Sequence, residues 1–169
     1  EAAASAAQAI AMIAGETEGR DAVAAETDAI RLLVGLLSSV ECAAQACRAL
    51  MNIAHGSPAS RTAIASAGGV EALVALLPSD ASVGAKAAGA LANVLNSNDP
   101  NRVAAREAGA VPLLVTMLRG GGEAAASAAQ AIAMIAGETE GRDAVAAETD
   151  AIRLLVGLLS SVECAAQAC

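Results

Sequence analysis

The sequence contains no Phe, Trp or Tyr and a single histidine. Without aromatic rings there is no platform on which nucleotide bases could stack, and a formal charge of −8 repels phosphate. A nucleic-acid surface is therefore excluded. The lone histidine, His55, sits where a helical pattern ends, and no Cys/His arrangement, nucleophile elbow or phosphate-binding motif accompanies it. "RGGGE" (Arg119 to Glu123) follows no strand pattern and reads as a connecting loop. No apolar run approaches the roughly 18–20 residues that cross a bilayer. No basic segment leads into an apolar core and a cleavage site of the signal-peptide kind. The expectation is a chain that is not an enzyme, with no cofactor, no metal site and no membrane partner.

Cysteine is scarce as well. Cys42 and Cys47, like Cys164 and Cys169, lie five residues apart, about 140° around a helix. That spacing separates the sulfurs, which suits neither a chelate nor a local disulfide. The thiols read as small core side chains in a reducing compartment, the cytoplasm or nucleus. The acidic "GETEGRD" at 15–21 and 137–143 reads as a solvated loop with acids near a helix N-terminus.

What the chain does have is alanine and repetition. The composition is 56% hydrophobic, largely alanine, the best helix former, which costs no rotamer entropy. Residues 1–47 recur without a single change as 123–169, an offset of 122. Such identity implies a recent duplication or deliberate construction. Inside that period lies a weaker one of 40 or 41 residues. It aligns Ile10, Leu50, Leu91 and Ile132, and it also aligns Arg20, Arg61, Arg102 and Arg142. Periods of this size mean stacked supersecondary units.

Each unit reads as three helices. In the second, "ECAAQACRALMNIAH" is a long helix ended by "GSPAS". "RTAIASA" is a short helix halted by Gly68 and Gly69, and "VEALVALLPSD" closes at Pro78. Asp28 and Asp150 replace the turn glycine in the other copies and are expected to act as helix N-caps. "NRVAAREAGAVPLLVTMLRGG" and "SRTAIASAGGVEALVALLPSD", each beside a long helix of the form A..AL.N, resemble armadillo repeats. The resemblance covers nearly the whole chain. It implies an all-α, right-handed armadillo-repeat solenoid of about 40–41 residues per three-helix repeat, one domain over 1–169. The units read as 1–40 (partial, opening on the family's third helix), 41–81, 82–122, 123–162 and a 163–169 fragment.

The long helix carries the most informative pattern. Steps back from Asn52 of four, seven and eleven residues stay on one face and meet Arg48, Gln45 and Glu41. From Asn93 they meet Gly89, Lys86 and Ser82; from Met12, Gln8, Ser5 and Glu1; from Met134, Gln130, Ser127 and Glu123. One thin polar stripe on an otherwise apolar helix marks the open face of a packed element. Two readings of Asn52 and Asn93 follow: they bond a neighbouring repeat's carbonyls, or they face an outside groove.

In armadillo proteins similar to importin-alpha and beta-catenin, this helix lines a concave groove, and its Asn binds the backbone of an extended peptide. The resemblance carries that role to Asn52 and Asn93 alone. Arg48, Lys86, Gln45, Gln8, Gln130, Met12 and Met134 are the surrounding groove candidates. The aromatic that the family places four residues before the Asn is missing throughout, being Gln8, Arg48, Gly89 and Gln130 here. The expected partner is a protein or peptide. The competing expectation is a structural or engineered array whose property is its own stacking. Solenoids need end units with polar outer faces, and neither the opening helix nor "ECAAQAC" reads as one. Head-to-tail self-association is expected on that ground.

Overall fold

The structure is a computed structural model that describes residues 1–26 and 28–167, with side chains as far as residue 160. Among these residues the chain forms helices and no strand. It opens with α1 (Ala2–Ile13), followed by α2 (Thr17–Ala25), α3 (Ala29–Leu36) and α4 (Ala43–Ala54). The pattern then repeats as α5 (Pro58–Ser66), α6 (Gly69–Leu76) and α7 (Ala81–Leu95). It repeats again as α8 (Asp99–Glu107), α9 (Ala110–Leu118) and α10 (Gly122–Ile135), and closes with α11 (Thr139–Ala147) and α12 (Ala151–Gln167).

The long helices α1, α4, α7 and α10 lie side by side, each packed on the next. The short helices cover their other side, α3 on α4, α6 on α7 and α9 on α10. The all-α solenoid expected from the period is the observed architecture.

Small side chains make this layering possible. Ala46, Ala49, Ala87, Ala88, Ala90, Ala128 and Ala131 are completely buried, so the long helices approach closely. Leu50 and Ile53 of α4, Leu91 and Leu95 of α7 and Ile135 of α10 fill the space behind them. Ile64, Leu73 and Leu114 of the short helices join them there. Each buried Leu or Ile contributes about 1.5–3 kcal/mol relative to exposure.

Caps and turns fix where the helices begin. Ser57 accepts from Ser60 N at 3.2 Å ahead of Pro58, and Asn98 accepts from Asn101 N at 3.1 Å. Asp80 Oδ1 accepts from Ser82 N and Val83 N at 3.0 and 3.1 Å. Gly68 and Gly109 turn the chain between the short helices with φ of +79° in both cases, a conformation that costs an L side chain about 1–2 kcal/mol. Asp28 does not cap α3. Its backbone is helical (φ −103°, ψ −8°), and its carboxylate makes an ion pair with Arg31 at 3.0 Å. An N-cap side chain folds back onto the N2 and N3 amides from an extended backbone, which Asp28 lacks.

Identical sequence takes two forms at α3 and α12. Residues 29–45 form α3, a turn in which Ser38 Oγ donates to Gly35 O at 2.9 Å, and the first residues of α4. The same seventeen residues at 151–167 run as one helix, so the boundary expected between 162 and 163 falls inside α12. Local propensity permits either form. Packing decides between them: α4 is held between α1 and α7, whereas α12 packs on α9 and α11. Cys164 belongs to α12 but its side chain lies outside the described set, as does the whole of Cys169.

Candidate functional site

The two asparagines use their amides in two directions. At the end of α1, Gly15 N turns to Met12 O and Glu16 N to Ile13 O. Ala11 O is thereby left without an amide from its own helix, as carbonyls in a last turn are. Asn52 Nδ2 donates to it at 2.7 Å. One unit on, His55 N turns to Asn52 O, and Asn93 Nδ2 donates to the carbonyl left over, Met51 O, at 2.9 Å. Each asparagine thus caps the long helix of the preceding unit, a bond with a net value of about 1 kcal/mol. Both side chains are half-buried, and neither Oδ1 belongs to the buried acceptors that lack a partner. Those two oxygens are open, with no partner among the described residues.

The row has a gap. At the end of α7, Asn96 N turns to Asn93 O, which leaves Ala92 O in the same position. The residue in register above it is Met134, which has no donor.

The remaining stripe residues all lie on the long helices. Arg48, Gln8 and Gln130 are exposed, while Gln45, Lys86 and Met134 are half-buried. Met12 is 65% exposed although its sequence twin Met134 packs against the core. Lys86 Nζ donates to Ser82 Oγ at 2.7 Å. Gln45 Oε1 is buried without a partner. Gly89 is covered, because an added Cβ would stand 3.2 Å from Met51 Sδ. The stripe therefore gives one candidate contact per helix turn in α4 but loses that turn in α7.

Three of the four aligned arginines bond helix-end carbonyls. Arg61 is 6% exposed; its Nε donates to Ala54 O at 3.0 Å and its Nη1 to Asn96 O at 2.9 Å, tying the ends of α4 and α7 together. Arg102 Nε donates to Leu95 O at 3.2 Å, and Arg142 Nη1 to Ala136 O at 3.3 Å. Two further joints escape the repeat pattern. Asn101 is 4% exposed and donates to both Arg61 O and Val94 O. Arg106 pairs with Glu138 across the gap between α8 and the start of α11. The readable signal for both was a polar residue breaking the repeat, since Asn101 stands where Gly19 and Gly141 do, and Arg106 where Ala24, Ala65 and Ala146 do.

His55 is the exposed residue after the last turn of α4. Cys42 and Cys47 are buried free thiols, and burial pushes Cys47 up to about 12 against the opposing charge of Lys86. No three His, Cys, Asp or Glu side chains come together among the described residues, and no described helix is long and apolar enough to cross a membrane.

Asp150 is held below its ordinary carboxylate value, first by its hydrogen bond from Arg153, at 2.8 Å, then by the charges of Arg153 and Arg119. A depressed folded value means stability that is present above the unfolded pKa of about 3.9 and lost as pH falls through the folded value. Urea unfolding measured from pH 6 down to pH 3 should lose more stability in the parent than in Asp150→Asn. Parallel curves would remove Asp150 from the acid response.

Neither a protein-family model nor a curated protein matches the sequence. Solved structures do. An engineered protein from a structural genomics consortium is 39% identical over 93% of this chain, with a TM-score of 0.85, and this chain spans 65% of its length. A designed armadillo repeat protein is 33% identical over 92% of the chain and 67% of its own length, with a TM-score of 0.82. Another, solved in complex with the peptide (KR)4, is 32% identical over 92% of the chain and 67% of its own, with a TM-score of 0.80. At 32–33% identity over 92% of its length to designed armadillo repeat proteins, with TM-scores of 0.80–0.82, the chain belongs to the armadillo repeat family, alongside its engineered members.

Proposed function

We propose that the chain binds an extended polypeptide along the outward face of α1, α4, α7 and α10, and that binding rather than catalysis is its work. One observation carries this reading. Asn52 and Asn93, one unit apart, have their Nδ2 groups fixed on the preceding helix and their Oδ1 atoms open. An amide fixed in this way presents its oxygen before any ligand arrives, which lowers the ordering cost of binding. The chemistry it suits is a main-chain N–H. Packed helices stand about 8–10 Å apart and an extended chain advances about 3.3 Å per residue, so one contact per unit leaves two or three ligand residues between contacts. Arg48, Lys86, Gln45, Gln8, Gln130, Met12 and Met134 flank that line. The solved neighbour bound to (KR)4 supports a peptide ligand for this fold.

The test replaces Asn52 and Asn93 with Met, the residue that the fold already accepts at positions 12 and 134. Enrichment from a random octapeptide library should fall about tenfold for each site replaced, one contact being worth about 1.4 kcal/mol. Urea unfolding should show a loss of about 1 kcal/mol per site. A stability loss with unchanged enrichment would make the asparagines purely structural.

A second reading, head-to-tail stacking of copies, has an observation of its own. Ala3 and Ala6 are exposed while their sequence twins Ala125 and Ala128 are completely buried against neighbouring helices. With Ile10, Leu32 and Leu36 they line an apolar groove of about 280 Å³. Concentration-dependent growth in light scattering supports stacking; a monomeric mass at every concentration rules it out.

A further inference from the structure

We infer that the centre of this face selects a ligand with acidic side chains. The proposal rests on the peptide-binding reading above and specifies its ligand. The argument begins from how the chain spends its cations. Arg31 pairs with Asp28, Arg102 with Asp99, Arg106 with Glu138, and Arg119 and Arg153 share Asp150. Arg61 and Arg142 are bound to helix-end carbonyls. Arg20 lies folded in with a buried Nε and its Nη1 against Gly56, away from the stripe.

Two cations remain on the outward face without an acid. Arg48 is exposed and makes no hydrogen bond or ion pair among the described residues. Lys86 bonds only Ser82, through its hydroxyl and, at 3.4 Å, its carbonyl. They stand on adjacent helices, one turn apart along the stripe: four residues before Asn52 and seven before Asn93. Lys86 is in register with Gln45, one turn before Arg48, and α4 and α7 pack side by side. Asn52 and Asn93 lie beside the pair, so a main chain pinned by the two amides would pass its side chains over these cations.

The outer units differ. At the positions of Arg48 and Lys86 they carry Gln8 and Ser5, or Gln130 and Ser127, all uncharged. The stripe's acids, Glu1, Glu41 and Glu123, stand seven residues before Gln8, Arg48 and Gln130, so the preference is local to the middle turns of the two central units. It also runs against the chain's net charge of −8, which by itself would attract a basic peptide. A guanidinium receives a carboxylate in two parallel hydrogen bonds, and Arg48 has all its donors available for that.

The test uses the intact chain and three dye-labelled octapeptides in fluorescence anisotropy. The first alternates Ser and Gln; the second carries Glu, and the third Lys, at the two central Gln positions. The Glu peptide should bind about tenfold tighter than the Gln peptide and tighter still than the Lys peptide. The advantage, read as the ratio of Glu-peptide to Gln-peptide affinity within one protein, should shrink as salt rises and vanish in Arg48→Gln/Lys86→Gln. Equal binding of the Glu and Gln peptides, or tighter binding of the Lys peptide, overturns the inference and leaves the peptide-binding reading standing. A Glu preference that survives in the double variant places the acid elsewhere and also overturns it. Failure of all three peptides to bind overturns the peptide-binding reading, and the inference with it.

Discussion

Arg61→Ala should cost about 3 kcal/mol, more than the loss of any residue on the outward face, as read by urea unfolding. The side chain is 6% exposed and holds two carbonyls at helix ends, Ala54 O and Asn96 O. Removing it leaves the buried Ala54 O with only the 3.4 Å bond from Ser57 N, takes from Asn96 O its bond to the guanidinium, and opens a hole where that group stood. A hydrogen bond to a charged group contributes about 1.5–3 kcal/mol. The carbonyl of Arg61 also accepts from Asn101 Nδ2 at 3.2 Å, so α5, α7 and α8 meet at this one residue. Arg61→Lys should recover only part of the loss, because a single ammonium cannot span both carbonyls in a fixed fork. Arg142→Ala is the contrast: that side chain is exposed, its bond to Ala136 O is 3.3 Å long, and its loss should cost under about 1 kcal/mol. Equal costs for the two replacements would show that the carbonyl bridge of Arg61 is not what stabilises the joint.

The contrast between these arginines explains which parts of the molecule could be read from the sequence. The 40–41-residue period aligns Arg61 with Arg142 and Asn52 with Asn93 because the period belongs to the chain. Their bonds belong to the stack. Asn52 reaches back 41 residues to Ala11 O and Asn93 reaches back 42 to Met51 O, acceptors that exist only because a helix ends there. The two readings of the asparagines, inward or outward, were therefore a false choice: Nδ2 is inward and Oδ1 outward. Asp28 was read as a cap from residue type alone, and its backbone angles put its carboxylate on Arg31 instead. Identical residues show the limit most directly. Ala3 and Ala125, Met12 and Met134, and Glu16 and Glu138 share their sequence surroundings but not their burial, because burial is set by the neighbouring unit. The pair Arg106–Glu138 could not be found by period either, since Arg106 has no counterpart in the other units.

Gly141→Ala should destabilise the chain by about 2–3 kcal/mol, whereas the same change at Gly35 should stabilise it by about 0.5–1 kcal/mol. Both glycines are helical, so the unfolded-state gain from alanine is the same in each. What differs is what the new methyl meets. At Gly141, α11 crosses the end of α10 so closely that a Cβ would stand 1.9 Å from Ile135 O and 2.7 Å from its carbon. These are backbone atoms of a packed helix and cannot swing aside; α11 must lift instead. At Gly35 the same methyl meets nothing within 4 Å. The units themselves show the route of escape. Ser60 and Asn101 occupy the equivalent position, and Asn101 offsets its bulk by donating to Val94 O, the carbonyl that corresponds to Ile135 O. Gly141→Asn should therefore be milder than Gly141→Ala despite its larger side chain, since the displaced helix regains a hydrogen bond of about 1 kcal/mol. Thermal and urea unfolding of the three variants would order them Gly35→Ala, Gly141→Asn, Gly141→Ala from most to least stable. If Gly141→Asn falls below Gly141→Ala, volume alone governs the crossing, and the polar bond seen at Asn101 does not offset it.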